Sequence, residues 1–164
     1  MHLNAETINR FYAAFANLDA ETMATCYADD VQFQDEVFTL DGKDETMGMW
    51  RMLVGATQSQ PESRQEWHLD VSGVEADATT GQAHWDANYL FSATGRHVIN
   101  KIDARFTFNE AGLITRHRDS FNFWTWSSQA LGIPGLLLGW TPYLRAKVRA
   151  TANGNLQKFL AKKG

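Results

Sequence analysis

The stretch QAHWDANYLFSATGRHVINKIDARFTFNEAGLITRHRDSFNFW, residues 82–124, decides the fold. Apolar and polar residues alternate through it with a period of two, the mark of strands that bury one face. Trp85, Ala87, Tyr89 and Phe91 share a face of a strand over 82–93. Val98, Asn100, Ile102, Ala104, Phe106 and Phe108 share one over 97–108, and Thr115, His117, Asp119, Phe121 and Phe123 share one over 113–124. The Thr94-Gly95 pair and residues 109–112 are turn sequences. One more strand, over 65–76, turns into the first of these at 78–81. The result is a four-strand antiparallel meander.

Upstream the period is helical. Ile8, Phe11, Tyr12, Phe15 and Leu18 lie on one face of a helix over 4–17, capped by Asn4. Residues 20–28 read as a second, short helix that carries Met23, Cys26 and Tyr27. Val31, Phe33 and Asp35 then alternate on a short strand. Asp41 precedes a third helix whose Met47, Trp50 and Val54 share a face, and residues 58–64 are a polar loop. From Pro134 the chain reads as a hydrophobic turn and a basic helix over roughly 141–161. The fold class is therefore α+β: one domain over 1–126, with an apolar and basic helical extension over 127–164.

The composition narrows the function. The 164 residues suit a single domain, and 44% apolar content supports a core. The longest apolar stretch, 130–144, is interrupted by Pro134 and Pro142 and is too short to span a bilayer. Asn4, Glu6 and Arg10 make the N-terminus unlike an export signal, so a cytoplasmic location is expected. The one cysteine, Cys26, reads as a buried inert thiol. Residues 1–119 hold all 19 acids, and residues 120–164 hold none and six bases. An acidic main domain argues against nucleic-acid binding. The basic tail with its apolar residues suits two surroundings: an anionic membrane surface, or the acidic domain itself or a partner subunit. Packing on protein is the favoured expectation, because the segment 132–139 is too apolar to be left in water.

Candidate chemistry follows from the strand faces. Asp35 shares its face with Val31 and Phe33, and a carboxylate on an inward face is costly unless paired or protonated. It reads either as a general acid or base or as the cap of the following turn. His117 and Asp119, two apart, point the same way, toward the face of Phe121. They read as a catalytic dyad or as a satisfied buried network. Asn100 interrupts an apolar face, where it either orients a ligand or bonds Asp119. Tyr12 needs a partner for its hydroxyl if buried. Together these residues predict one apolar cavity lined by Phe33, Trp85, Tyr89, Ile102 and Phe121. Phosphate-loop, nucleophile-elbow and paired Cys/His metal patterns are absent from the sequence, so no metal and no cofactor are expected.

Phe11-Tyr12, the run Cys26-Tyr27-Ala28-Asp29-Asp30-Val31 and the run Phe33-Gln34-Asp35 resemble the nuclear-transport-factor-2-like superfamily, which holds the ketosteroid isomerases and SnoaL-type cyclases. The run from Phe108 to Ile114 is similar to the last hairpin of that family. The resemblance covers residues 4–126 and implies a cone-shaped sheet wrapped by the N-terminal helices. It also implies that Asp35 matches the isomerase base and that Tyr12 lies near the oxyanion-hole tyrosine. The isomerase further requires a protonated aspartic acid on a later strand. Here Asp103 falls one residue out of register and Ala104 takes the inward slot. His117 and Asp119 with Asp35 look more like the pockets of scytalone dehydratase and the cyclases. The tail from Trp126 to Trp140 resembles the C-terminal extension of SnoaL-like bacterial proteins. Three functions are compatible with these readings. One is an isomerase, cyclase or dehydratase, with an epoxide-hydrolase variant. Another is a non-catalytic binder of an apolar ligand, and the third is an interaction module. A homodimer is expected, paired through the open sheet face with Trp124 and Trp126 near its end.

Overall fold

A computed structural model describes residues 1–163. The helices are α1 (Leu3–Ala16), α2 (Ala20–Ala24), α3 (Lys43–Ser59), α4 (Pro61–Glu66), α5 (Phe123–Leu131), α6 (Ile133–Leu138) and α7 (Pro142–Lys163). The strands are β1 (Tyr27–Gln34), β2 (Thr39–Asp41), β3 (His68–Ala76), β4 (Thr80–Phe91), β5 (Arg96–Phe108) and β6 (Ile114–Ser120). They form one curved, unclosed sheet in the order β2-β1-β6-β5-β4-β3. The expected antiparallel meander is β3 to β6, and β1 joins it parallel to β6.

Several local readings change. His2, not Asn4, caps α1, its side chain accepting from the Asn4 N–H at 3.0 Å. Asn4 instead donates to the carbonyls of Asp77 and Ala78, which ties the helix to the β3–β4 turn. The second helix stops at Ala24, and Tyr27 opens β1 because it pairs with Ile114 across the sheet. Asp41 precedes α3 as expected, and Gly42, at φ 92°, stands between them as the N-cap; only a residue without Cβ adopts that angle freely. The loop expected after it contains α4, started by Pro61 at a position where a missing N–H costs nothing. The strand expected to run to 124 stops at Ser120. Asn122 accepts from the Thr125 N–H at 3.0 Å and starts α5, so Phe123, Trp124 and Trp126 are helical.

The main core lies between α1, α3 and the inner face of the sheet, with Ile8, Phe11, Phe15, Met47 and Phe106 sealed inside it. A smaller cluster of Val98, Phe123, Trp126 and Ala130 packs α5 on β5. Tyr89 and Phe121 touch both clusters. The outer sheet face is charged, with His84 bridging Asp86 and Asp103 at 2.8 Å each. Asp103 therefore points outward and Ala104 inward, as the register argument requires.

The tail divides. Leu156 of α7 is sealed and lies with Leu160 over Gly48 of α3, whose missing Cβ admits the close approach. Arg149 donates to the Glu36 carbonyl at 2.9 Å, Asn153 to the Val37 carbonyl at 3.3 Å, and Arg145 pairs with Glu36 at 3.5 Å. In contrast, Ile133, Leu136, Leu137 and Leu138 are exposed. The apolar segment expected to be covered is thus largely uncovered in the single chain. Trp126, expected beside a dimer face, is 7% exposed and donates to the Tyr89 hydroxyl at 2.8 Å.

Candidate functional site

The parallel register of β1 and β6 sets the site. Phe33 pairs with His117, so the next inward position of the chain, Asp35, comes beside Asp119. Asp119 in turn pairs with Ala104, and Ala104 with Ala83. Two carboxylates therefore sit at one end of a row whose other members are alanines. The rows on either side carry Phe33, His117 and Phe106, or Trp85 and Ile102.

His117 and Asp119 face the core, at 1% and 2% exposure. Both histidine nitrogens are engaged: Nε2 with Asp119 Oδ1 at 2.8 Å and Nδ1 with the Tyr27 hydroxyl at 2.7 Å. The Trp50 indole donates to that same hydroxyl oxygen at 3.0 Å. Indole N–H can only donate, and the phenol has a single proton to give. The arrangement satisfied with a neutral imidazole therefore runs one way: Trp50 to Tyr27, Tyr27 to His117, His117 to Asp119. Every bond delivers a proton toward the carboxylate, so Asp119 is held as an acceptor and its orientation is fixed. Phe11, Phe33 and Phe106 surround the imidazole, with centroids 5.7, 5.0 and 4.5 Å away. His117 is thus enclosed, and the open chemistry belongs to the second oxygen of Asp119, for which no hydrogen bond is found among the described residues.

Asp35 caps the turn that follows its strand. Its Oδ1 accepts the N–H groups of Val37 at 2.7 Å and Phe38 at 2.6 Å, which closes the β1–β2 turn. Burial pushes its pKa up to about 7; the two N–H donors act against this, and nearby Asp119 and Glu36 add to it. A group with that pKa is half protonated at neutral pH.

Tyr12 is 2% exposed and its hydroxyl finds no partner among the described residues, nor does the Trp85 indole N–H. The two rings lie 5.8 Å apart. Burial, then the charge of Asp119, then Tyr27, hold the Tyr12 phenol protonated well above its ordinary range. Two donors are therefore buried, unsatisfied and within the field of the carboxylate, at a cost that a bound acceptor would offset. Asn100 is buried at 7% and does not bond Asp119. Phe33, Trp85 and Ile102 are sealed, whereas Tyr89 and Phe121 are half-buried where the two clusters meet. Burial first, and the charge of Asp35 after it, push the Tyr89 phenol up to about 12, with the Trp126 hydrogen bond opposing. The deep end of the expected cavity is filled by rings. Asp35 and Asp119 lie at the other end of the row, at the 35–38 turn.

Tyr27 and Trp50 complete the network, yet the sequence reading assigns neither a role there. Tyr27 was obscured by an apparent helical run. Its signal was parity, since it shares the odd positions of Val31 and Phe33, with the register shift between Tyr27 and Gln32 breaking the alternation.

An open, curved six-strand sheet with helices over its inner face defines the class of α+β fold. The SnoaL-like domain model matches residues 8–117, and the chain belongs to that family. No curated protein matches it in sequence. Solved structures of the same fold include an LEH-like epoxide hydrolase of M. tuberculosis, 18% identical, covering 82% of this chain and 95% of that one with a TM-score of 0.59. A putative polyketide cyclase from Xanthomonas campestris pv. campestris is 17% identical, with coverage of 77% and 96% and a TM-score of 0.60. A hypothetical protein with a ketosteroid isomerase-like fold from Catenulispora acidiphila, solved with trimethylamine, is 15% identical, with coverage of 84% and 98% and a TM-score of 0.61. These likenesses establish the nuclear-transport-factor-2-like fold.

Proposed function

We propose that this protein is a cofactor-independent enzyme of the isomerase, cyclase or dehydratase kind, moving a proton on a small, apolar, cyclic substrate. The observation that carries the reading is the one-way hydrogen-bond chain ending on Asp119, with a second carboxyl, Asp35, beside it in an apolar setting. A carboxyl that burial keeps partly protonated can act as acid beside a second carboxyl that acts as base.

In this reading Asp119 takes a proton from the carbon next to a substrate carbonyl. The electron pair of that C–H bond moves to the carbonyl, and negative charge grows on its oxygen. Tyr12 O–H and Trp85 N–H, buried without partners, supply donors for that oxygen. Asp35, protonated, gives its proton to the carbon of the resulting enolate, and the proton taken up by Asp119 then passes to the neighbouring Asp35 carboxylate, which restores both groups. His117, Tyr27 and Trp50 position the base without touching substrate. Asn100, Phe121 and Tyr89 line the way in. The epoxide-hydrolase variant uses the same pair, with Asp119 activating water.

The test is a turnover screen with cyclic ketones, enones and small epoxides, followed by Asp119→Asn. Loss of at least about a hundredfold in kcat is expected for removal of a general base. A confirmed substrate turned over at the wild-type rate by both Asp119→Asn and Asp35→Asn overturns the assignment. Ligand binding in the core without any turnover supports the non-catalytic binder instead.

A further inference from the structure

Helix α6 and the start of α7 form an apolar tip. Ile133, Leu136, Leu137, Leu138, Trp140 and Tyr143 are exposed by 72, 56, 62, 42, 66 and 68%. Three successive leucines spread over about half of the circumference of α6, the rest of which faces α5 through Gly135, so the outer half of the tip is apolar. Water would normally satisfy the last carbonyls of such a helix. Here internal donors take them. Leu136 O accepts the Trp124 indole N–H at 2.9 Å, and Leu137 O accepts the Trp140 indole N–H at 3.0 Å. Leu138 O accepts from both the backbone and the hydroxyl of Thr141, and Gly135 O accepts the Gly139 N–H at 2.8 Å. Exposed apolar side chains over carbonyls that internal donors satisfy suit a hydrocarbon environment.

The order along the chain carries the argument further. Apolar residues occupy 133–138, aromatic residues follow at 140 and 143, and the exposed Lys147 comes next, between Arg145 and Arg149, which are held on Glu36. Hydrocarbon, interface and anionic headgroup succeed one another in a bilayer in the same order. No acid occurs after Asp119, so nothing on this segment opposes a negative surface. Among the described residues no helix is long and apolar enough to cross a membrane, so the contact is peripheral.

We infer that the α6 tip docks the protein onto an anionic lipid bilayer, its leucines in the acyl region and the first turns of α7 at the headgroups. A second copy of the chain offers acidic charge too, but the succession of leucines, aromatic rings and base follows the layers of a bilayer.

The full-length chain is sedimented with phosphatidylcholine vesicles, with and without phosphatidylglycerol. Binding to the anionic vesicles is expected, weaker on the neutral ones. The double variant Leu136→Gln, Leu137→Gln lowers the bound fraction about tenfold or more. Lys147→Gln lowers it about fivefold at low salt, with the difference lost at high salt. All replaced side chains are exposed, so an unchanged melting temperature confirms that the variants fold. Failure of the wild type to sediment with either vesicle, or equal binding by the double variant, overturns the proposal. So does a lipid-free dimer that the double variant dissociates in the absence of vesicle binding, which assigns the tip to a second copy.

Discussion

Asp35 couples the turn, the site and the pH response. Its pKa in the fold is about 7, raised chiefly by burial, against an ordinary value of 3.8. Between these values the folded chain holds a proton that the unfolded chain releases, so the group lowers stability as pH rises through that window. Asparagine keeps an oxygen for the Val37 and Phe38 N–H groups and removes the charge. The melting temperature of Asp35→Asn should therefore gain on wild type as pH goes from about 4 to about 7. Thermal melts across that range check it, and a constant difference would remove Asp35 from the titration. Asp35→Ala loses both hydrogen bonds and should cost about 1–3 kcal/mol at about pH 4, and less as pH rises toward 7. Tyr27→Phe makes a second residue-scale case. It leaves the Trp50 indole and His117 Nδ1 without the partner that joins them. Two stranded buried groups should cost roughly 2–5 kcal/mol in denaturant unfolding. A near-neutral result would mean that water replaces the hydroxyl.

At the scale of elements, the contact between α5 and α6 is the tightest in the tail. A Cβ on Gly135 would collide with the backbone carbonyl of Ser127, which belongs to a helix and cannot swing aside. Gly135→Ala should therefore lower stability by about 1–3 kcal/mol and open residues 132–139 to limited proteolysis. Gly154, inside α7 with nothing near it, is the control. Its change to alanine should be neutral or stabilising by up to about 1 kcal/mol. If both variants behave alike, the α5–α6 contact is looser than the geometry states. Helix α7 reaches the 35–38 turn through Arg145, Arg149 and Asn153, so the tail and the Asp35 carboxyl share one support.

For the whole molecule, the outer sheet face bears on assembly. It carries Asp86 and Asp103 around His84 on β4 and β5, and Arg116 and Arg118 on β6. A patch of each sign on one face is self-complementary under a two-fold axis. A homodimer through this face is the expected assembly, with twice the 18.5 kDa chain mass in light scattering at low salt. It should weaken as salt screens the charges. A monomer mass at high protein concentration refutes it. Such a dimer leaves the α6 tip free, because α6 belongs to the tail and packs on α5 rather than on the outer face.

By itself the sequence determined what depends on local period and parity. Alternation over 82–120 placed His117 and Asp119 inward and Arg116 and Arg118 outward, because side chains in a strand must change sides at each residue. Helical spacing likewise put Tyr12 and Trp50 on buried faces. The resemblance carried by residues 11–35 named the right superfamily. What it could not supply was anything decided by distant partners. Tyr27 became a strand residue only by pairing with Ile114, far along the chain. Asp35 came beside Asp119 through a parallel register that no local pattern encodes. Asn122 ended the last strand two residues before an apparently continuous apolar face was complete, since a cap hydrogen bond outweighed weak alternation. The exposure of the α6 leucines is of the same kind. Composition says that they are apolar, and only the packing of α5 and α7 around them decides that they face outward.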